Sequence, residues 1–282
     1  MVAGVGDPSY RPLVTRLSYP DYLTAIRRES ARFRDVLAGC DPAAQVPSCP
    51  EWTAADLLWH MTTVQHWWEA MVTNRPQTAE EMGYEEPARP EAYDALLTAY
   101  DAAHVAFLAA VEAADPAEPA YSWSADPDDH TVGFTYRRQA HEALIHRIDA
   151  ELTTGTLTAM DAALAADGVD ETLDKMYGAL PAWGRFEPEP RYVEFRITDA
   201  GTSVWTQLGI FSGTAPDGKE YADEQDMHVV PDPGAAPDAV VTGTAADLDA
   251  WLWHRGDDAG ITMTGDPGAL DHVGVVLRNP IT

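Results

Sequence analysis

Three residues in two distant segments carry side chains of the kind that bind divalent metals. Glu142 and His146 lie four residues apart in a stretch from Arg137 to Ala150 that contains no Pro or Gly and is rich in Ala, Leu, Arg and Glu. This composition predicts a helix, and residues four apart project from the same helix face, where one ion can contact both. Taken alone, such a pair is more often part of a solvated helix face than a metal site.

His60 is the third candidate ligand. The pattern Thr53-x-x-Asp56 predicts the start of a helix by a capping box. His60 then lies within the apolar stripe of that helix, which is made of Leu57, Met61, Val64, Trp67, Trp68 and Met71. A lone histidine in such a stripe is more often a hydrogen-bonded core residue than a ligand. A polar ring facing a core still needs a partner, and a metal shared with Glu142 and His146 would supply one.

Two other polar residues bear on the same site. Asp149 lies one turn after His146 on the same helix face, so we expect its carboxylate to orient the imidazole from outside the ligand set. His104 falls on the core side of the third predicted helix and is a rival ligand. A hydrogen-bonded core histidine is the commoner role for a residue so placed.

Four amphipathic helices are predicted in the first half of the chain. Their expected extents are 21–37, a helix starting at Thr53, 91–114 and 134–152, each with apolar residues three and four apart. Helices of this kind joined by irregular segments predict a bundle. Facing helices of a bundle are a usual place to build a metal site.

The second half changes to strand-like patterning. Strands are predicted at 191–198, 202–210, 238–242 and 261–264, with helices that start after Thr244 and at Pro267. The expected fold is therefore a two-domain α+β protein. We expect an N-terminal lead-in at 1–17, a four-helix metal-binding bundle at 18–158, an interdomain connection at 159–190 and a small α+β C-terminal domain at 191–282.

Composition excludes several classes of partner. Lys and Arg number 18 against 46 Asp and Glu, for a formal net charge of −28, and no basic patch suits nucleic acid or an anionic membrane. Cys40 and Cys49 are close enough in sequence for a disulfide, but two cysteines make no disulfide framework. No apolar run approaches the roughly 18 residues of a membrane span, and no secretory segment is found. We expect a soluble, cytoplasmic protein, and the sequence gives no oligomeric state.

The two ligand-bearing segments together resemble a known family. CPEWTAADLLWHM at 49–61 and HEALIHRIDA at 141–150 are similar to segments of the mycothiol-dependent maleylpyruvate isomerase family of actinobacteria, one of the DinB-like metal-binding bundles. The likeness covers nearly the whole chain. Residues 166–171 look like the interdomain segment of the family, and 242–255 with Gly265 and Asp266 look like its smaller C-terminal domain.

The resemblance implies a cofactor set and site residues. It implies Zn²⁺ or another divalent metal held by His60, Glu142 and His146, and mycothiol as the thiol. It also implies that an arginine of the C-terminal domain binds an acidic substrate, for which Arg255 is the candidate and Arg147 a weaker alternative. A surface arginine at a helix end, or an arginine paired with a neighbouring carboxylate, explains these two residues equally well.

Three functional hypotheses remain open at this point. The leading one is a metal-dependent enzyme that uses a low-molecular-weight thiol, as an isomerase or as a thiol S-transferase, on a small electrophilic substrate, acidic substrates included. The second is a hydrolase that uses metal-activated water, whose activity would persist without thiol. The third is a non-catalytic protein that binds a metal or ligand, since little else in the chain looks catalytic.

Overall fold

The computed structural model describes residues 16–78 and 80–281, and the chain divides into two compact units. The N-terminal unit comprises Leu17–Met160, and the C-terminal unit includes the chain from Asp161 onwards. Most of the expected lead-in at 1–17 lies outside the described residues.

Four long helices form the N-terminal unit. They are α1 (Tyr19–Ala38), α2 (Ala54–Asn74), α3 (Tyr93–Ala113) and α4 (Val132–Thr154), with short 3₁₀ turns at Glu80–Met82 and Pro127–Asp129. Both predicted ends of α1, α3 and α4, and the predicted start of α2, lie within two residues of the observed ends. The capping box of Thr53 and Asp56 is formed, and α4 ends at Gly155, whose φ of 67° is a left-handed value that glycine adopts without strain.

The bundle packs α1 against α4, α2 against α3, and α2 against α4. Its main apolar cluster draws on all four helices and includes Phe33, Leu37, Leu57, Leu58, Met61, Leu96, Tyr100 and Ala150. The two ligand-bearing helices, α2 and α4, are thus direct neighbours. Packing of apolar faces, rather than helix propensity alone, holds them side by side.

Within the described residues, α3 is long and apolar enough to span a membrane by length and composition, contrary to the expectation that no run qualifies. This is weak evidence for a membrane span, because a core helix of a soluble protein passes the same test. Leu96, Tyr100 and Phe107 of α3 are almost fully buried within the bundle. Packing therefore accounts for part of the apolar character of α3, since 33% of its apolar window is buried.

The C-terminal unit combines helices with a five-stranded sheet. Its helices are α5 (Ala162–Glu171), a π-helical turn (Thr172–Tyr177), α6 (Ala245–Leu252) and α7 (Pro267–Val276). Its strands are β1 (Gly184–Ile197), β2 (Thr202–Thr214), β3 (Glu220–Val230), β4 (Ala239–Gly243) and β5 (Thr262–Gly265), in the order β3-β2-β1-β4-β5. Of the four neighbouring strand pairs in this order, β1 and β4 run parallel and the other three pairs run antiparallel. The fold is α+β, as predicted.

Two regions of this unit differ from expectation. The segment 159–190 was expected to be a connection with a short helix around Leu173 to Tyr177, and a π-helical turn lies at that place. The segment also contains α5 and the first residues of β1, which were not expected. The pattern of α5 was hidden because this helix is short and places Asp167 and Gly168 among its buried residues. Strand β3 was not predicted, because it is an edge strand whose acidic residues are mostly exposed and show little apolar alternation.

A buried charged network ties α4 to α1 and to the segment that follows α4. Arg147 donates from Nε to Glu29 Oε2 at 2.9 Å and from Nη1 to Glu151 Oε2 at 2.8 Å. Arg32 donates to Glu151 Oε1 at 2.6 Å, and the Thr158 backbone N–H donates to Glu151 at 2.9 Å. Arg147, Glu29 and Glu151 are each at most 4% exposed. Their charges are compensated inside the bundle, as burial requires.

We expect Arg147→Ala to lower the free energy of unfolding by about 3 kcal/mol, because it removes the buried cation that Glu29 and Glu151 share. Each carboxylate then keeps one more exposed arginine, Arg28 for Glu29 and Arg32 for Glu151. Chemical denaturation followed by circular dichroism measures the change. Arg34→Ala is the control, since Arg34 pairs with Asp101 at the surface and should cost under about 1 kcal/mol. Equal small losses in the two variants would contradict a structural role for the buried network.

Candidate metal centre

The bundle brings His60, Glu142 and His146 into one group. One ligand atom from each residue lies within 4.8 Å of those of the other two. The rings of His60 and His146 have centroids 4.8 Å apart at 70°, and His146 Nε2 lies 3.2 Å from Glu142 Oε2. The predicted juxtaposition of two distant segments is thus present in the fold.

Local structure explains how each side chain reaches the group. Glu142 and His146 are one turn apart on α4, so their spacing alone aligns them. The residues of the predicted apolar stripe of α2 differ in burial. Leu57 and Met61 are fully buried, whereas His60 is only partly buried. His60 is therefore displaced from the centre of the core towards α4.

A chain of hydrogen bonds fixes the orientation of His146. Its Nδ1 lies 2.9 Å from Asp149 Oδ2, and Ser48 Oγ donates to Asp149 Oδ1 at 2.5 Å. With Nδ1 engaged, Nε2 is left for the site, which is the arrangement expected of a metal-binding histidine. Asp149 thus contacts His146 as predicted. The sequence analysis did not identify Ser48 as part of the site. This residue lies between Pro47 and Pro50, directly before Cys49.

The charges around the group set the protonation of its members. Burial, and then the neighbouring His146, lower the pKa of His60 to about 4, so His60 is neutral at pH 7. Burial alone would lower the pKa of His146, but its hydrogen bonds to Asp149 and Glu142 outweigh burial and raise that pKa to about 9. Burial would raise the pKa of Glu142, but Arg138 and His146 hold that pKa well below its usual value. Arg138 lies 3.3 Å from Glu142 Oε1.

The donor set fits a divalent transition metal. Two nitrogens and one carboxylate oxygen are ligands that zinc accepts, and three protein ligands leave a further position for another molecule. The candidate ligand atoms all lie within 4.8 Å of one another, so one ion could contact all three residues. Binding would displace the proton of His146, because a metal ligand must be deprotonated.

Trp52 packs beside the group. Its ring centroid lies 4.6 Å from that of His60 and 6.3 Å from that of His146. This indole therefore limits the rotation of His60 and covers part of the group with apolar surface. A less hydrated surrounding strengthens electrostatic interactions at the site.

The rival residues have other contacts. His104 Nδ1 lies 3.1 Å from Gln65 Oε1, and its ring stacks on Tyr100, so His104 has the contacts of a core histidine. Arg147 belongs to the buried network described above, which favours the structural alternative for this residue. Arg255 lies in the C-terminal unit, where its Nη1 donates to the Trp253 carbonyl at 2.7 Å. A substrate-binding role for Arg255 stays a prediction.

We expect Asp149→Asn to lower the pKa of His146 in the metal-free protein by about 1 pH unit or more, because the substitution removes the carboxylate that opposes burial. An NMR titration of the His146 ring measures the change. Ser48→Ala is the matched control: it removes one hydrogen bond to Asp149 but keeps the carboxylate, so His146 should retain most of its raised pKa. An unchanged pKa in Asp149→Asn would contradict the described hydrogen bond.

Comparisons with known proteins place most of the chain in one family. A family model for the mycothiol maleylpyruvate isomerase N-terminal domain matches residues 23–151, and the model for the C-terminal domain of that family matches 163–272. No curated protein matches the chain. Crystal structures of mycothiol-dependent maleylpyruvate isomerase and of a histidine-to-alanine mutant share the fold, at 14% and 15% identity, with TM-scores of 0.53, covering 88% of this chain and 93% of theirs. The chain belongs to the mycothiol-dependent maleylpyruvate isomerase family of enzymes.

Proposed function

We propose that this protein is a metal-dependent enzyme that uses mycothiol and acts as an isomerase or a thiol S-transferase on a small electrophile. The observation that carries the proposal is the convergence of His60, Glu142 and His146 from two neighbouring helices. Family membership supports the thiol and favours an enzyme over a non-catalytic binding protein. The proposal also places the protein in the cytoplasm, where such thiols are kept reduced.

In this proposal His60, Glu142 and His146 hold Zn²⁺ or another divalent ion. When bound, such an ion lowers the pKa of a coordinated thiol and so supplies a nucleophile at neutral pH. Asp149 holds His146 with Nε2 directed to the site, and Ser48 holds Asp149. Arg138 keeps Glu142 ionised.

The reaction itself distinguishes the two thiol-dependent activities. In cis-trans isomerisation the thiolate adds to a carbon of the double bond, rotation follows about the resulting single bond, and the thiolate leaves. The thiol is therefore regenerated. In S-transfer the carbon–sulfur bond persists in the product, with a proton or a leaving group completing the balance, and one thiol is consumed per turnover. A hydrolase that uses metal-activated water would need no thiol.

We expect about one divalent ion per chain in the purified wild-type protein, and loss of that ion in His60→Ala and Glu142→Ala, since each variant removes one of three protein ligands. Elemental analysis after dialysis measures the content. His104→Ala is the control, because His104 contacts Gln65 instead of the group, and it should keep the metal. A wild type that cannot be loaded with zinc would refute the metal site.

We expect activity on α,β-unsaturated electrophiles to require added mycothiol, and to fall at least about 100-fold when His60 is replaced by Ala, because the thiol loses its activating group. Thiol titration after complete turnover then separates the reactions: unchanged thiol indicates isomerisation, and stoichiometric loss indicates S-transfer. Equal activity in thiol-free buffer would refute the thiol-dependent proposal and favour the hydrolase.

A further inference from the structure

An aromatic pocket adjoins the candidate metal centre within the N-terminal unit. Its volume is about 320 Å³, and it is lined by Thr63, Val64, Trp67, Trp68, Tyr84, Glu86, Trp123 and Glu142. Glu142 belongs to both the pocket and the candidate ligand set. A molecule in this pocket therefore contacts the place where the proposed chemistry occurs.

Four aromatic side chains from three segments build the pocket. Trp67 and Trp68 of α2 lie edge to face with centroids 4.6 Å apart, and Tyr84 accompanies them from the segment after α2. Trp68 is only 3% exposed, whereas Trp123, from the segment before α4, is 41% exposed. Trp123 therefore combines a place in the pocket lining with exposed ring surface that a bound molecule could cover. The walls are therefore planar, apolar surfaces suited to a conjugated or aromatic body.

The dimensions suit a small ligand. An apolar cavity of about 150 Å³ is enough to hold benzene, so a pocket of about 320 Å³ has room for one ring and a short conjugated chain. Ligand pockets of this type combine apolar walls with few polar groups. Here the polar groups are the carboxylates of Glu142 and Glu86 and the hydroxyls of Thr63 and Tyr84. Both hydroxyls donate to backbone carbonyls of α2.

The charges of the pocket disfavour an anionic ligand. None of its described lining residues is Lys or Arg, and two of them are carboxylates. Arg138 contacts Glu142 but does not line the pocket, so its charge is committed to that carboxylate. A substrate carboxylate placed among the tryptophans would lose its hydration without gaining a cation, which is costly.

Aromatic ring faces can attract a cation, but the carboxylates of this pocket add little to that attraction. Glu142 is already paired with Arg138 and His146, which leaves Glu86 as the remaining carboxylate of the lining. Glu86 is exposed, so water screens its attraction for a cation. A divalent ion held by Glu142 would repel a cation from the same end of the pocket.

We propose that the substrate of this protein is an uncharged electrophile with an aromatic or extended conjugated body, that the body lies between Trp67 and Trp123, and that its reactive end lies at Glu142. The identification of the pocket's occupant as the electrophile rests on the proposed function. The substrate class thereby differs from the acidic substrate that the resemblance implied through an arginine partner.

Equilibrium dialysis without metal or thiol tests the pocket directly. Cinnamamide and cinnamate have the same shape and differ in charge, crotonamide lacks the ring, and phenyltrimethylammonium is a cationic probe. We expect cinnamamide to bind at least about 10-fold more tightly than each of the other three. Tighter binding of cinnamate would show an anion site, and tighter binding of phenyltrimethylammonium would show a cation site. Either result overturns the proposal.

Variants locate the binding. Trp123→Ala should weaken cinnamamide at least about 5-fold, and Trp123→Phe should restore most of the affinity, since a ring is retained. Glu86→Lys should improve the binding of cinnamate relative to cinnamamide, whereas Glu85→Lys, next to it but outside the lining, should change the ratio little. Thermal unfolding checks that each variant is folded. An unchanged affinity for cinnamamide in Trp123→Ala would overturn the proposal that this pocket binds the substrate.

The same assay separates this inference from the proposed function. Dialysis with the His60→Ala variant should give unchanged cinnamamide affinity, because His60 does not line the pocket. If activity proves independent of metal and thiol while the measured affinities are as expected, the pocket assignment is supported and the proposed reaction is wrong. If thiol-dependent turnover is found but fumarate, a small dianion, is a better substrate than a cinnamoyl amide, the reaction stands and the substrate class is wrong.

Discussion

The structure of the N-terminal unit depends on compensating the polar side chains of a helix that is buried on nearly all sides. Most residues of α4 are buried, among them Arg147, Asp149 and Glu151. A helix with so many polar groups is stable in a core only if those groups find partners, because each unsatisfied one costs free energy. Glu29, Arg32 and the backbone around Thr158 supply partners on one side of α4, while α2 and the Ser48 segment approach another.

This requirement also fixes the geometry of the site. A rotation of α4 by one residue would move His146 and Glu142 away from His60 and would at the same time separate Arg147 from Glu29. The contacts of Arg147 and the juxtaposition of His60, Glu142 and His146 therefore require the same rotation of α4 about its axis. Rigid helices position a site more precisely than loops do, because their side chains are held by packing on both sides.

Much of the bundle and of the ligand group was readable from the sequence, because both follow from regular spacing. Glu142 and His146 are aligned by the helical repeat, and Thr53 marks the start of α2 by its capping box. The metal role itself remains a prediction. Ser48 and Arg138 were out of reach: whether a short loop meets Asp149, or which carboxylate an arginine contacts, is decided by tertiary packing. Strand β3 was missed because an edge strand with an acidic face lacks the alternation of a half-buried strand.

The pocket and the candidate ligand group depend on different parts of the chain. The candidate ligands lie on the neighbouring helices α2 and α4, so their juxtaposition depends on the packing of the bundle. The pocket walls come from α2, from the segment that follows it and from the segment before α4, and nothing in the helical repeat constrains the last two. Trp123 and Glu86 lie in such connections, where replacements do not disturb the core. Changes in these connections can therefore alter the pocket walls while the juxtaposition of His60, Glu142 and His146 is kept.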